Sequence, residues 1–431
     1  MSVRRYVIVT SAGGVLGATL LFACATDVEI GQQQMPEDDS GPAQTIPDAG
    51  LPDADAPADA PADAPADVAF DGIITGACST DGFCFQPVPI QTPLVAVSGS
   101  SMNDVWAIGG SSMLRYRGTD WEIVYEYSRT TPPSITFTRI WATTPDDVWA
   151  IANDSSSRLM FVRYAAVGGE APRFYEIPTT TAAATSVWIE PSADAAWVTT
   201  SQSNTIVRYR EDGDGGVVGE NFMPKPGTAT APTYWSAVWG FGPDDVYAVG
   251  QDFTFSGSIP IPGRERPSSP PLIAHYDGTS WTITPLPLPV QTVVDGFSGT
   301  PPNGEQRLWL ATTAQGTSSV ALYPIEDGGI ADALVNENVT AQHPCGSKVA
   351  SAVSATAAWM SNGPVVCRWD GVQLSPVSTA LGGLPTGFVR GIWAMNEDDV
   401  WLVGQAVSQG LGFPTTGFAA RRTKDAGGSQ P

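Results

Sequence analysis

The chain has 431 residues, with 44 acidic against 21 basic side chains and a formal net charge of −23. That balance argues against nucleic acid as a partner, because phosphate backbones select basic faces. Two histidines and five cysteines leave little material for histidine-based catalysis or a cysteine-rich metal centre.

The amino terminus reads "MSVRRYVIVTSAGGVLGATLLFACATD". Two arginines precede an apolar run over residues 6–23, the layout of an export signal. The run closes on Leu21-Phe22-Ala23-Cys24, which resembles the lipobox of bacterial lipoproteins. The resemblance implies cleavage after residue 23 and lipidation of Cys24. It also implies an outer-membrane or cell-surface location, since no aspartate follows the cysteine directly. Residues 24–72 then change character. Between residues 25 and 72 there are twelve acidic residues and no Lys or Arg, around a core of "PDADAPADAPADAPAD". Such a segment has almost nothing to bury and its charges repel, so it is expected to be a disordered spacer. At a polyproline rise of roughly 3.1 Å per residue it would hold a domain some ~100 Å or more from the membrane.

Beyond residue 72 the composition turns to Val, Thr, Trp, Tyr and Phe, broken by Gly, Pro, Asn and Asp. One motif recurs. It is clearest in "WSAVWGFGPDDVYAVG" at residues 235–250, "TRIWATTPDDVWAI" at 138–151 and "RGIWAMNEDDVWLVG" at 390–404. Aligned on its central aromatic, the repeat has seven equivalents: Trp106, Trp149, Trp197, Tyr247, Trp309, Trp359 and Trp401. Their spacings of 43, 48, 50, 62, 50 and 42 residues predict an all-β, seven-bladed β-propeller of four-stranded antiparallel blades over residues 73–422, with a disordered tail over 423–431. In the Tyr247 repeat the expected strands are residues 236–240, 246–250, 272–276 and 281–285, with turns at Gly242-Pro243-Asp244-Asp245 and Asp277-Gly278. Trp141, Trp188, Trp239 and Trp393 share an inner-strand position, and Trp121 and Trp281 start outer strands. Aromatics repeated once per blade are expected to pack blade against blade.

The last repeat lacks an outer strand. Residues 82–99 parallel residues 280–299, so residues 83–86 are expected to supply it and tie the two ends of the domain together. Beyond Cys24, four cysteines remain and allow three pairings. "CSTDGFC" makes Cys78 with Cys84 the easiest pair, and Cys345 and Cys367 lie within one repeat. No CxxC spacing supports zinc as the alternative, and no metal or cofactor is expected.

These repeats, behind a lipobox, resemble the repeat-rich propeller lipoproteins of predatory and soil bacteria over residues 76–422. The chain also looks related in shape to Kelch, sialidase-like and WD40 propellers. It lacks the Gly-His…Trp-Asp pairing of WD40 repeats, and "YDGTSW" only approaches the sialidase box. The resemblance implies a fold and a location, not an activity.

No Ser-His-Asp order, HExxH, nucleophile elbow or P-loop is present. His275 stands where other repeats carry Arg115, Arg163, Arg208 and Arg368, and His343 lies in a connection between repeats. The acidic pairs at residues 146–147, 244–245 and 398–399 occupy repeated turns, whereas glycoside hydrolysis needs unique converging carboxylates. "EDGDGG" at 211–216 could ligate calcium but falls at a turn position. The departures from the repeat are long loops and crossings on one face, carrying Tyr127, Arg129, Lys225, Phe253, Phe255, Arg264 and Arg266. With Trp235, which has no evident repeat equivalent, Tyr127, Arg129, Phe253, Phe255, Arg264 and Arg266 are the candidate ligand-binding residues. The expected function is an extracellular binding module for protein or glycan, monomeric and tethered by lipid. The alternatives are a polysaccharide hydrolase or lyase with its site in the central funnel, and a structural envelope protein. A cluster of Glu, Asp, Arg and Tyr on the axis would favour the enzyme.

Overall fold

In a computed structural model, residues 78–422 are described apart from short stretches, the longest being 226–232, 256–264, 380–386 and 407–415. The expectations for the signal, Cys24, the acidic spacer and the tail lie outside the described residues.

The described unit is an all-β propeller of antiparallel blades. Strand pairing groups it into seven sheets, five of four strands and two of five, numbered one to seven in chain order for reference. Side chains are described along most strands of six of them. In the fifth, over residues 292–339, few are. In the blade around Tyr247 the strands are Thr233–Gly242, Asp245–Phe255, Leu272–Tyr276 and Trp281–Pro285. The last two match the expected bounds, and the first two run longer. An extra short strand, Glu265–Pro267, folds back on the second.

Turn chemistry sets the blade shape. Gly242 pairs with Asp245 and Thr144 with Asp147, so two residues close the inner hairpins of these two blades. The third-to-fourth turns place Gly118, Gly278 and Gly371 at φ of 93°, 88° and 94°. That left-handed backbone strains any residue with a Cβ, and it explains the recurring glycine. The Asp277 and Asp370 carboxylates cap these turns by accepting two backbone N–H bonds each.

The central aromatics form the core. Trp106, Trp149, Trp197, Trp359 and Trp401 are essentially inaccessible. Across the sheet, each faces an arginine of the third strand: Trp106 with Arg115, Trp149 with Arg163, Trp197 with Arg208, Trp359 with Arg368 and Trp401 with Arg421. The guanidinium lies over the indole, 4.5 Å from its centroid for Arg163 and 4.7 Å for Arg115. The aspartate that ends the inner turn completes the unit, as in Arg115 to Asp104 and Arg163 to Asp147. His275 takes the arginine's place in blade four. It stacks on Tyr247 at 4.4 Å and bonds Asp245 at 2.8 Å. In blade three Glu190, buried, replaces the aspartate and holds both Arg208 and Trp197.

The closing strand is in place. Phe83–Gln86 pairs antiparallel with Thr416–Arg422, in the register Phe83 with Arg422 and Gln86 with Ala419. Phe83 and Phe85 are buried in the core shared by blades six and seven. Disulfides join Cys78 to Cys84 and Cys345 to Cys367. The first fastens the start of the closing strand and the second stays within the sixth repeat.

Candidate binding site in the central cavity

The innermost strands converge on a cavity of about 780 Å³. Its described wall comes from six blades: residues 95–98, 136–141, 185–187, 236–239, 349–352 and 388–393, with Asn362 and Gly363 at one rim. This volume falls in the range of small-ligand sites.

A repeated irregularity shapes the wall. Four inner strands that line it carry a β-bulge three residues before the inner-strand tryptophan, leaving Thr138, Thr185, Ser236 and Arg390 unpaired in the ladder. All four line the cavity. A bulge re-aims a side chain that strict alternation would place elsewhere. By register, Asp295 occupies the same position in the fifth blade. The Thr138 and Ser236 hydroxyls donate back to the carbonyls of Ile151 and Val249, and Thr185 pairs with Thr199. Ser98, Ser186 and Ser351 accept backbone N–H bonds from the neighbouring blades. Ser98, Ser186 and Ser351 thus link neighbouring blades, while the Thr138, Thr185 and Ser236 bonds stay within their own blades.

The two arginines differ. Among the described residues, Arg139 donates to the carbonyl of Thr138, and Arg390 to Gln405 Oε1 at 2.7 Å. Neither meets a carboxylate among the described residues, and no described residue of the wall is Asp or Glu. Desolvation pushes the Arg139 guanidinium below its ordinary pKa. Its side chain is nonetheless open to a water-sized molecule. The two facts agree if the group projects into a cavity that water enters but protein surrounds. Half-buried Trp141, Trp239 and Trp393 also face this space, and Phe388, 46% exposed, stands at its rim.

The residues singled out from sequence fall differently. Trp235 is 1% exposed and packs with Trp188, Trp197 and Val238, which places it in the core rather than on a binding face. It does have repeat equivalents: it pairs with Gly250 as Phe137 pairs with Ala152 and Val389 with Gly404. Those equivalents are not tryptophans, which hid the correspondence. Tyr127 is half-buried against the core shared by blades one and two. Arg129 and Arg264 lie outside the described residues, as does His343. Phe253, Phe255 and Arg266 are described only as strand positions, Phe253 opposite Pro267 and Phe255 opposite Glu265. Lys225 is exposed. No cluster of metal-ligating side chains occurs among the described residues.

Arg139 and Arg390 escaped sequence reading because both lie outside the repeated motif's invariant letters. "FTRIWA" and "FVRGIW" carry arginine at different offsets from tryptophan. Only the bulge brings both offsets to the same wall.

Fold and site together define a β-propeller with an axial cavity whose described wall carries two arginines and no acidic residue. Solved structures of the same shape include a YCF48 chain bound to a D1 peptide, with a TM-score of 0.53 and 12% identity over 82% of this chain and 100% of that one. YCF48 from Cyanidioschyzon merolae matches with a TM-score of 0.51 and 14% identity, over 79% and 99%. At these identities the likeness is one of fold. No protein-family model and no curated protein matches the chain.

Proposed function

We propose that the protein is a surface-tethered lipoprotein whose propeller binds a protein ligand outside the cell, through the axial cavity and the rim where the blade crossings enter. In this reading the seven sheets close into one ring of seven blades, Cys24 carries the lipid and the acidic spacer sets the distance from the membrane. The observation that carries the binding reading is the cavity itself: ligand-sized, walled by half-buried indoles, and without a described carboxylate. A hydrolase or lyase working by paired carboxylates has no described pair to use there. A fold neighbour that holds a peptide adds support by analogy alone.

A photo-crosslinking amino acid at Phe388 samples the rim. One at Val372, 84% exposed on an outer turn of blade six, serves as the control. Incubated with envelope extract, the 388 variant is expected to give a discrete protein adduct that the 372 variant lacks. Equal adducts at both, or none at 388, would reject the reading. Metabolic labelling with palmitate tests the anchor separately, with Cys24→Ser expected to abolish incorporation.

A further inference from the structure

Resting on that reading, we infer that the cavity is a carboxylate-binding site: Arg139 and Arg390, from the blades flanking blade one, receive the acidic side chains of a peptide ligand.

Three observations converge. First, both guanidiniums line the cavity and neither is neutralised by a described carboxylate. Arginine offers five N–H donors, of which each of these uses few. Both guanidiniums are accessible from the cavity, and an incoming carboxylate would give each of them charge-assisted bonds. Second, the chain's formal charge is −23. Elsewhere among the described residues its buried arginines are matched: Arg115 by Asp104, Arg163 by Asp147 and Glu211, Arg208 by Glu190. The cavity pair, which is exposed rather than buried, has no such partner among the described residues, and no Asp or Glu is among the described residues of the wall. Third, the described hydroxyls of the wall at Thr138, Thr185, Ser236, Ser98, Ser186 and Ser351 each already make one bond to the protein, so part of their hydrogen-bonding capacity is spent. Beside the capacity that remains on those hydroxyls, the described wall offers a ligand positive charge and aromatic surface. That favours an acidic peptide over a neutral glycan.

The position of Arg390 adds a physical reason. Its bulge costs ladder pairing, yet the same bulge in blades two to four carries only Thr or Ser. In blade seven the re-aimed residue is a cation held in place by Gln405.

The test uses the full-length chain in detergent and a fluorescent hexaglutamate peptide, with hexaglutamine and an oligogalacturonate as comparison probes. Hexaglutamate is expected to bind, with affinity falling steeply as salt rises, and hexaglutamine to bind at least tenfold more weakly. R139Q and R390Q should each lose roughly tenfold in affinity, about what a charge-assisted bond supplies. R173Q, an exposed arginine on the outer rim, should lose nothing. Melting curves accompany each variant. If a Gln variant fails to fold, R139K and R390K keep the charge while removing the fork, and a loss of a few-fold is expected. Unchanged binding in R139Q/R390Q, equal binding of hexaglutamine, or a preference for the galacturonate would overturn the inference. A 388 adduct that persists while hexaglutamate does not bind would reject this inference and leave the binding-module reading intact.

Discussion

Two kinds of joint hold neighbouring blades together at the same register position. In one, a tryptophan of the inner strand covers a glycine of the next blade: Trp393 over Gly99, Trp188 over Gly240 and Trp239 over Gly299. In the other a serine stands where the tryptophan would be, and its hydroxyl accepts the N–H of an alanine: Ser98 with Ala142, Ser351 with Ala394. Pairing registers show the equivalence, since Ser98 faces Trp106 and Ser351 faces Trp359 just as Trp188 faces Trp197. Bulk plus a missing Cβ, or a small polar group plus a hydrogen bond, fills the same gap. Trp141 is the exception, packing against a cluster that contains Ile189 where the others meet glycine or alanine.

The largest effect is expected where a joint coincides with the chain ends. The Trp393–Gly99 joint lies between blades seven and one, and the outer strand of blade seven comes from residues 83–86. Deleting residues 73–90 exposes an edge and removes Phe83 and Phe85, which are buried. Calorimetry should show a melt lowered by more than any single substitution here. An unchanged melt would mean that the ring does not need its closing strand.

Next is the exchange of one joint type for the other. Trp188→Ser alone removes a buried aromatic and should cost about 3–5 kcal/mol. Gly240→Ala alone puts a Cβ 2.5 Å from the Trp188 ring and should cost roughly 1–3 kcal/mol. The double variant recreates the Ser–Ala pair, so the two costs should fail to add, by about 1 kcal/mol or more in the favourable direction. Denaturant midpoints of the three variants give the coupling. Strict additivity would show that the joint types are not interchangeable.

A smaller change probes the polar joint. Ser98→Ala leaves the Ala142 N–H without its acceptor and is expected to cost about 1–2 kcal/mol. Hydrogen exchange at Ala142 should accelerate while exchange at Val238, bonded to Ser186, stays as it was.

The joints also show what could be read from the sequence. The tryptophan at residues 141, 188, 239 and 393 was legible because the letter repeats, and so was the closing strand, because residues 82–99 copy residues 280–299. The disulfides followed from proximity in the chain. The serine version of the joint was not legible, since Ser is common and its partner is a backbone N–H of the next blade. Trp235 misled for the reverse reason. A rare letter looked singular, while its equivalents Phe137 and Val389 looked ordinary. The cavity arginines depend on bulges, which shift a side chain from one face of the strand to the other without any local sequence signal.

The smallest effect separates the joints, which carry no titrating group, from the outer turns, which do. The carboxyl groups of Asp277 and Asp370 are held below the ordinary range, first by the backbone N–H groups of Ser280 and Gln373, then by those of Thr279 and Val372. A carboxyl with a depressed folded-state pKa stabilises the fold above its unfolded value of about 3.9 and loses that contribution as pH falls through the folded value. Asn at either position keeps an acceptor for the same N–H groups but cannot titrate. The D277N/D370N variant should therefore melt slightly lower than the parent at pH 7, and the gap should narrow as pH drops below about 4. Both groups are solvent-exposed, so screening keeps the gap small, and added salt should shrink it further. Parallel melting curves from pH 7 down to the acid limit would show that the turn carboxylates contribute no charge-dependent stability, and would leave the acid sensitivity to the Arg–Asp pairs over the central tryptophans.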